Sequence, residues 1–129
     1  MNILIADDHG IVRGGLRLLL EQQDDFTVVG EAADGQEALE MSLALRPDVC
    51  VLDVSMPKLT GLQVAHELHQ QDPGITTLML SMHDDDRYLF EALKAGASGY
   101  VLKREADQFL VNAIRSVAEG SSFLTNAAQ

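Results

Sequence analysis

Five short runs of β-forming apolar residues recur along this chain, separated by segments with the spacing of amphipathic helices. The runs begin near residues 3, 27, 49, 77 and 100, at intervals of 22 to 28 residues, each wide enough for a helix and two loops. Strands that alternate with helices favour βαβ units and a parallel sheet. Because the crossovers of such units are right-handed, few strand orders are possible. We therefore expect a single doubly wound (βα)5 domain of the α/β class, with helices on both faces of a five-stranded parallel sheet of order 2-1-3-4-5.

Residues typical of helix ends lie between the predicted strands. Asp34 and Glu37 have the spacing of a capping box, in which side-chain oxygens bond the first N–H groups of a helix. Thr60 and Gln63 repeat that spacing before the third helix. The three aspartates at 84–86 suit the N-terminus of the fourth helix. The predicted signals for helix C-termini are Pro47, Pro73, Gly74, Gly96 and Gly120.

Length and composition indicate one domain with its own core. The chain has 129 residues, of which 47% are hydrophobic, and it needs no disulfide or structural metal to fold. Its lone cysteine, Cys50, lies within an apolar run, where it is expected to pack as a small hydrophobe. With one cysteine, no export signal and no apolar stretch of about 20 residues, we expect a cytoplasmic protein without a membrane span. We predict a domain over residues 1–120, followed at 121–129 by a tail or the start of a linker.

The charge balance argues against nucleic acid as a direct ligand. Acidic residues outnumber basic ones by 20 to 9, which gives a formal net charge of −11 at pH 7. DNA binding uses clustered cationic side chains that displace counterions from phosphates. The lysines and arginines here are scattered along the chain, so we do not expect this chain by itself to bind DNA.

Charged and hydroxyl side chains stand where four of the five runs stop. Asp7 and Asp8 follow the first run, and Asp53 ends the third. Ser81 and Lys103 follow the fourth and fifth runs. Because open α/β sheets gather their chemistry at the carboxyl ends of the strands, we expect these side chains to converge at one edge of the sheet.

The three carboxylates predict a divalent cation. Crowded like charges raise one another's pKa and cost stability unless a metal neutralises them, and oxygen-rich sites that retain waters suit Mg²⁺. We predict that Asp8 and Asp53 bind Mg²⁺ directly and that Asp7 holds a metal-bound water. A single aspartate here would more often be a helix cap, so the prediction depends on all three together. His9, beside the acid pair, is expected to contact only the loop backbone.

Asp53 is the candidate nucleophile. A carboxylate attacks a phosphoryl group to form an acyl phosphate when the charge on the transferring oxygens is offset. Mg²⁺ and Lys103 would supply that positive charge, and Ser81 would donate a hydroxyl hydrogen bond to a phosphoryl oxygen. A serine or a lysine alone at these positions would not indicate a phosphoryl-accepting site. The prediction depends on the spacing of Asp53, Ser81 and Lys103 together.

Several motifs together point to one family. Residues 53–61 are DVSMPKLTG, with Asp7 and Asp8 upstream and Ser81 and Lys103 downstream. Over residues 1–120 this set resembles the receiver domain of two-component response regulators, which has a flavodoxin-like fold. The stretches AGASGY at 95–100 and AIRSV at 113–117 resemble the NarL/FixJ-type branch, whose members usually carry a C-terminal LuxR-type helix-turn-helix.

The resemblance implies a phosphoacceptor and its partners. A sensor histidine kinase would phosphorylate Asp53, with Mg²⁺ held by Asp8, Asp53 and the backbone carbonyl of Ser55. Such a domain assists its own phosphotransfer and dephosphorylation and is not an enzyme with external substrates. The resemblance also implies a surface for a partner or for a homodimer formed on phosphorylation, made by the fourth helix, fifth strand and fifth helix. DNA would be bound only through an output domain that this chain does not contain.

The resemblance also implies a switch. Ser81 would move toward the phosphoryl group, and the ring of Tyr100 would turn into the space that it vacates, a bistable packing change driven by new phosphate contacts. Ser55 and His83 occupy the two variable positions that tune how long the phosphate lasts.

Two positions depart from the common pattern of the family. Many receivers follow the lysine with proline in a cis peptide, whereas Arg104 follows Lys103 here. A cis bond before a residue other than proline costs about 2.5–4 kcal/mol, so we expect a trans bond. Ser81 replaces the commoner threonine, which keeps the hydroxyl and loses a methyl group.

The sequence bears on three other functions. A flavin mononucleotide carrier of the flavodoxin type needs a phosphate-cradling loop after the first strand, and Asp7 and Asp8 would repel that phosphate. An aspartate-nucleophile phosphohydrolase usually carries Asp-x-Asp, and the segment 53–55 lacks the second acid. A stand-alone receiver that acts through protein contacts, without DNA binding, stays open as the alternative to a regulator with an output domain.

Overall fold

The structure is a computed structural model that describes residues 1–83 and 85–124. In that part of the chain, strands and helices alternate. The strands are β1 (Asn2–Ala6), β2 (Thr27–Ala32), β3 (Val49–Asp53), β4 (Thr76–Ser81), β5 (Gly99–Leu102) and β6 (Phe123–Leu124). The helices are α1 (Gly10–Glu21), α2 (Gly35–Leu45), α3 (Gly61–Gln71), α4 (Asp86–Lys94) and α5 (Ala106–Ala118), with a 3-10 turn at Lys103–Glu105.

The strands form one parallel sheet in the order β2-β1-β3-β4-β5-β6. The doubly wound fold and the order of its first five strands, both predicted from the sequence, are confirmed. The two-residue strand β6 is an addition at the edge next to β5. It lies in the segment where the sequence showed no period, since two residues are too short for an alternating pattern.

Apolar side chains alternate between the two faces of the sheet, and each face has its own core. Leu4, Leu52 and Met79 point to the face covered by α2, α3 and α4. Ile5 and Val51 belong to the other cluster, which α1 and α5 cover. Because central strands are buried on both faces, they appear in the sequence as unbroken apolar runs. Each such buried side chain stabilises the fold by about 1.5–3 kcal/mol, so the core holds the strand ends in register.

Strand β6 is joined to β5 by its backbone and to both cores by its side chains. Gly99 pairs with Phe123 and Tyr100 with Leu124, and the Phe123 N–H donates to the Ser98 carbonyl at 3.2 Å. Phe123 packs on the α5 side of the sheet, with its ring 6.2 Å from that of Phe109, whereas Leu124 packs on the opposite side. The rest of the predicted tail, 125–129, lies outside the described residues.

The residues predicted to cap the helix N-termini form complete capping hydrogen bonds at some helices and incomplete ones at others. At α3, Thr60 and Gln63 form a full capping box, with reciprocal hydrogen bonds of 2.9 and 3.1 Å. At α2, Asp34 accepts from the Glu37 N–H at 2.8 Å, but the Glu37 carboxylate reaches the N–H of the preceding residue, Ala33. Asp85 caps α4 by accepting from the Arg87 N–H. The first of the three aspartates, at 84, lies outside the described residues.

The helix C-termini follow the sequence signals closely. Gly96 and Gly120 have φ values of +97° and +94°, the left-handed conformation that glycine adopts at little cost. The helix α2 ends at Leu45, and its C-cap residue Arg46 takes a left-handed φ of 49° just before Pro47. Among the residues that the structure describes, no helix has the length and apolar character needed to cross a membrane.

Candidate functional site

The carboxyl ends of β1 and β3 lie side by side at one edge of the sheet. Ala6 is opposite Leu52, so the residues that follow, Asp7 and Asp53, emerge at the same level. Both aspartates are buried, Asp7 completely and Asp53 to all but 3% of its surface. Between β4 and β5, Ser81 lies opposite Leu102. Lys103 comes directly after Leu102, so Ser81 and Lys103 lie at the same edge of the sheet. The convergence predicted from the strand ends is therefore present.

Lys103 bridges the two buried aspartates. Its Nζ lies 2.8 Å from Asp7 Oδ2 and 3.1 Å from Asp53 Oδ2, and its side chain is 14% exposed. The contact with Asp53 is a hydrogen bond, whereas Asp7 Oδ2 meets the ammonium as an ion pair and accepts no hydrogen bond. No peptide bond between described residues is cis, so the bond from Lys103 to Arg104 is trans, as expected. Lys103 is the first residue of the 3-10 turn that follows β5 directly.

The ionisation of these groups reflects burial and mutual contact. Loss of water raises the pKa of Asp53, while the Lys103 hydrogen bond lowers it and the charge of Asp7 raises it further. Burial alone would lower the pKa of Lys103, but the contacts with Asp7 and Asp53 outweigh burial and raise it. The lysine therefore stays charged, and Asp53 carries its charge less readily than an exposed aspartate would.

His9 lies against the acid pair, where the sequence indicated only a backbone contact. Its N–H donates to Asp7 Oδ1 at 2.9 Å, and its ring Nδ1 lies 3.1 Å from Asp8 Oδ1 and 3.3 Å from Asp7 Oδ1. Asp8 and His9 are partly and largely exposed, so they form the open side of a site whose floor is Asp7 and Asp53. The position of His9 directly after two ligand-type aspartates was the available signal.

The cluster fits a divalent cation. Asp7, Asp8, His9 and Asp53 each offer a ligand atom, and these atoms all lie within 4.8 Å of one another. Asp7 Oδ2 is fully buried and accepts no hydrogen bond, and the Lys103 ammonium 2.8 Å away compensates its charge. One lysine cannot neutralise three carboxylates, so the arrangement can hold a metal ion.

The predicted switch residues meet at the backbone of His83. Ser81 Oγ accepts from the His83 N–H at 2.9 Å, and the Tyr100 hydroxyl donates to the His83 carbonyl at 2.5 Å. Tyr100 is only 1% exposed, so its ring lies inside the protein. The imidazole of His83 stacks on the Tyr88 ring at the start of α4, with centroids 4.2 Å apart. These residues therefore form one connected unit between the sheet edge and α4.

Ser55 stands at the open end of the loop after β3. It is exposed, and its N–H donates to Asp53 Oδ1 at 3.4 Å, so the loop turns around the carboxylate. The loop is fixed at both ends by backbone bonds, from the Val54 N–H to Leu80 and from the Gly61 N–H to Val54.

Two supporting residues were not predicted to have a role. A Cβ on Gly61 would lie 2.1 Å from the Asp53 carbonyl oxygen, so only glycine lets α3 start this close to β3. Arg13 on α1 donates to the Asp7 carbonyl at 2.7 Å and to Glu31 at 3.1 Å, which ties the first loop to β2. The glycine after Thr60 was visible in the sequence, but the close approach of α3 to β3, which leaves no room for a side chain there, was not.

Comparison with known proteins identifies the family. Residues 3–115 match the response regulator receiver domain. The oxygen regulatory protein NreC of Staphylococcus epidermidis is 45% identical over 125 residues, which are 96% of this chain and 57% of that protein. The chain thus spans little more than half the length of this relative.

Solved structures agree with the sequence comparison. The signal receiver domain of the putative response regulator NarL from Mycobacterium tuberculosis has a TM-score of 0.89 and 36% identity, with 92% of this chain and 96% of that chain covered. The isolated REC domain of RcsB from Salmonella enterica serovar Typhimurium, solved with the phosphomimetic BeF3⁻, has a TM-score of 0.88 and 31% identity, covering 97% and 93%. The chain belongs to the response regulator receiver family, in its NarL-type branch.

Proposed function

We propose that Asp53 accepts a phosphoryl group from a sensor histidine kinase in the cytoplasm. The observation that carries the proposal is the position of Lys103, whose ammonium lies within 3.1 Å of both Asp7 and Asp53. A nucleophilic carboxylate needs positive charge next to the oxygens that it receives, and here that charge is already in place. The match to the receiver family supports the same reaction.

The residues of this chain would act in a defined order. An Asp53 oxygen forms a bond to the phosphorus of a phosphohistidine while the phosphorus–nitrogen bond breaks, and the released imidazole takes up a proton from solvent. Lys103 offsets charge on the phosphoryl oxygens, and Ser81 donates its hydroxyl to one of them. Water later cleaves the acyl phosphate, so the domain serves as a phosphoacceptor and does not turn over external substrates.

The cation in this proposal is Mg²⁺. Asp8, Asp53 and the backbone carbonyl of Ser55 would hold it, with Asp7 bound through a water. The carboxylate oxygens of the cluster are the hard ligands that Mg²⁺ takes in proteins. Bound Mg²⁺ would offset the negative charge on the oxygens of the transferring group.

The switch would work through the backbone of His83. In this structure Ser81 accepts from the His83 N–H, and Tyr100 is already inside and bonded to the His83 carbonyl. We infer that the phosphoryl group draws the Ser81 hydroxyl away from His83 and increases the population of the inward Tyr100 arrangement. Ser55 and His83, at the rim of the site, would set how long the phosphate lasts.

The output would be transcription, through a domain beyond this chain. The relative NreC is nearly twice as long as the part that matches, which leaves room for such a domain in that protein. The net charge of −11 is unfavourable for DNA contact by the receiver itself. Phe90 and Leu93 on α4 are 63% and 41% exposed, which suits a homodimer contact on phosphorylation. A stand-alone receiver acting through protein contacts is the alternative.

Phosphorylation of Asp53 is tested with acetyl phosphate and Mg²⁺. We expect the intact mass of the protein to rise by one phosphoryl group and the Asp53→Asn variant to show no gain. Asp24→Asn, an exposed aspartate between α1 and β2, is the matched control and should be labelled like the unaltered protein. Labelling that persists in Asp53→Asn would refute the acceptor assignment. Sedimentation of the same samples would show whether the labelled protein dimerises.

A further inference from the structure

We propose that His9 is a nitrogen ligand of the cation in this site and makes the site prefer first-row transition-metal dications over Mg²⁺. The inference rests on the cation site of the proposed function and adds a ligand to it. It concerns which metal the site selects, which the carboxylates alone do not decide.

The spacing of His9 from the acids is that of adjacent metal ligands. Two ligands at right angles, each roughly 2.1 Å from a cation, are about 3 Å apart. Nδ1 of His9 lies 3.1 Å from Asp8 Oδ1 and 3.3 Å from Asp7 Oδ1. The imidazole therefore already occupies a position next to the carboxylate oxygens that a cation would share with it.

The ring of His9 contacts the acids and does not contact the helix that it caps. His9 is the N-cap residue of α1, a position where side chains often bond the first turn, but its ring makes no such bond. Its backbone N–H donates to Asp7 Oδ1, so the residue is held next to the acids by its backbone as well. The side chain is 64% exposed, so binding a cation there requires little movement of the surrounding structure.

A second observation points to a cation at the same place. Asp7 is 0% exposed, and its Oδ2 accepts no hydrogen bond although it lies in the group of four ligand residues. The Lys103 ammonium lies beside that oxygen but is shared with Asp53, so the three carboxylates keep an excess of negative charge next to His9. Lys103 lies 2.8 Å from that oxygen, and the His9 ring nitrogen lies 3.3 Å from the other oxygen of Asp7.

The chemistry of the ligands sets the selectivity. Carboxylates, a carbonyl and water suit Mg²⁺, which dehydrates reluctantly and favours oxygen. Imidazole suits softer ions, and affinity at a mixed nitrogen and oxygen site rises along the first-row series from Mn²⁺ to Cu²⁺. Because the other candidate ligands are oxygens, the single nitrogen of His9 would discriminate between Mg²⁺ and an ion such as Co²⁺.

Calorimetric titration with Co²⁺ and with Mg²⁺ tests the selectivity. We expect the ratio of the two dissociation constants, Mg²⁺ over Co²⁺, to fall by about tenfold or more in His9→Asn. The control is His66→Asn, on the exposed face of α3, which removes a histidine away from the site and should leave the ratio unchanged. An equal ratio in the unaltered protein and His9→Asn would overturn the inference. If His9→Asn fails to melt cooperatively, His9→Gln replaces it.

Pulsed electron paramagnetic resonance of bound Mn²⁺ supplies a direct signature. Mn²⁺ takes the same oxygen ligands as Mg²⁺ and reports any coordinating nitrogen. We expect a nitrogen coupling in the unaltered protein and in His66→Asn, and its loss in His9→Asn. Bound Mn²⁺ without that coupling would overturn the role of His9 while leaving the cation site intact. Absence of any Mg²⁺ or Mn²⁺ binding, in contrast, would also contradict the proposed function.

Discussion

At the scale of single residues, the site is a balance of charge around Lys103. One ammonium faces two buried carboxylates at 2.8 and 3.1 Å, and a third carboxylate, Asp8, lies at the rim. Coulomb attraction is strong where water is excluded, but one positive charge leaves an excess of negative charge. The remaining charge attracts a cation, and the same lysine would later face the phosphoryl oxygens.

Removal of the ammonium should slow phosphoryl transfer. In Lys103→Met the side chain keeps its length but cannot offset charge on the transferring oxygens, and loss of one such group costs about a hundredfold in rate. The rate of mass gain with acetyl phosphate and Mg²⁺ measures the effect. Lys94→Met, at the exposed end of α4, is the control and should react normally. A Lys103→Met rate within twofold of the unaltered protein would contradict the role of Lys103.

The burial of the Asp53 carboxylate should also make the stability of the folded protein depend on pH. Its pKa is raised in the folded protein, chiefly by burial, so folding is favoured when the group is protonated. That contribution is complete below the usual aspartate pKa, about 3.9, and is lost as the pH rises through the raised folded value. At pH 7 without metal, Asp53→Asn should therefore melt at a higher temperature than the unaltered protein, and the difference should vanish near pH 4.

Thermal melts over a pH series in the presence of a chelator check this prediction. Asp24→Asn, which removes an exposed charge of the same kind, should show no comparable gain at pH 7. A lower melting temperature for Asp53→Asn at neutral pH would mean that the Lys103 contact outweighs the burial of the carboxylate.

At the scale of elements, β6 shows how tertiary packing creates structure that a local pattern cannot. Two residues cannot form an isolated strand, yet Phe123 and Leu124 pair with β5 and pack on opposite cores. The left-handed Gly120 reverses the chain after α5 and directs it back to the sheet. The segment after α5 is therefore attached directly beside Tyr100, the residue proposed to switch.

Loss of the Phe123 ring should weaken this attachment. A buried phenylalanine costs about 3–5 kcal/mol when it is cut to alanine, and because Phe123 is only half-buried we expect about 1–2 kcal/mol. Urea denaturation of Phe123→Ala measures the change in the free energy of unfolding. Ser122→Ala, exposed and adjacent, is the control and should lie within about 0.5 kcal/mol of the unaltered protein. Equal stability of the two variants would show that β6 does not pack on the domain.

Most of the elements could be predicted because they depend on patterns within a few residues. The apolar runs of β1, β3 and β4 and the capping box at Thr60 are local, and each lies where the sequence placed it. Convergence of Asp7, Asp53 and Lys103 also followed, since the parallel topology aligns strand ends. For His9 the sequence showed only its position after the two aspartates, because its contacts with them depend on side-chain geometry. The link from Tyr100 to His83 joins residues 17 apart, so it has no local signal.

At the scale of the whole molecule, the net charge of −11 surrounds an acidic site with further negative charge. Charges on the helices act on the site over distances comparable with the Debye length, about 10 Å at 0.1 M salt. Their combined field raises the local concentration of cations at the sheet edge. Part of the affinity for a divalent cation should therefore come from the net charge of the whole protein, and not from the residues that ligate the cation.

This long-range part should be removed by salt. Between about 0.02 and 0.2 M KCl the Debye length falls from roughly 20 to 7 Å, so the field of distant carboxylates is screened while ligand contacts at 2–3 Å are not. We expect the dissociation constant for Mg²⁺, measured by calorimetry, to rise several-fold over that range. Sucrose, which is uncharged, should have no such effect when it replaces KCl. A constant affinity across the salt series would mean that the ligand residues alone hold the cation, and that the acidic surface serves only to keep nucleic acid away from the receiver.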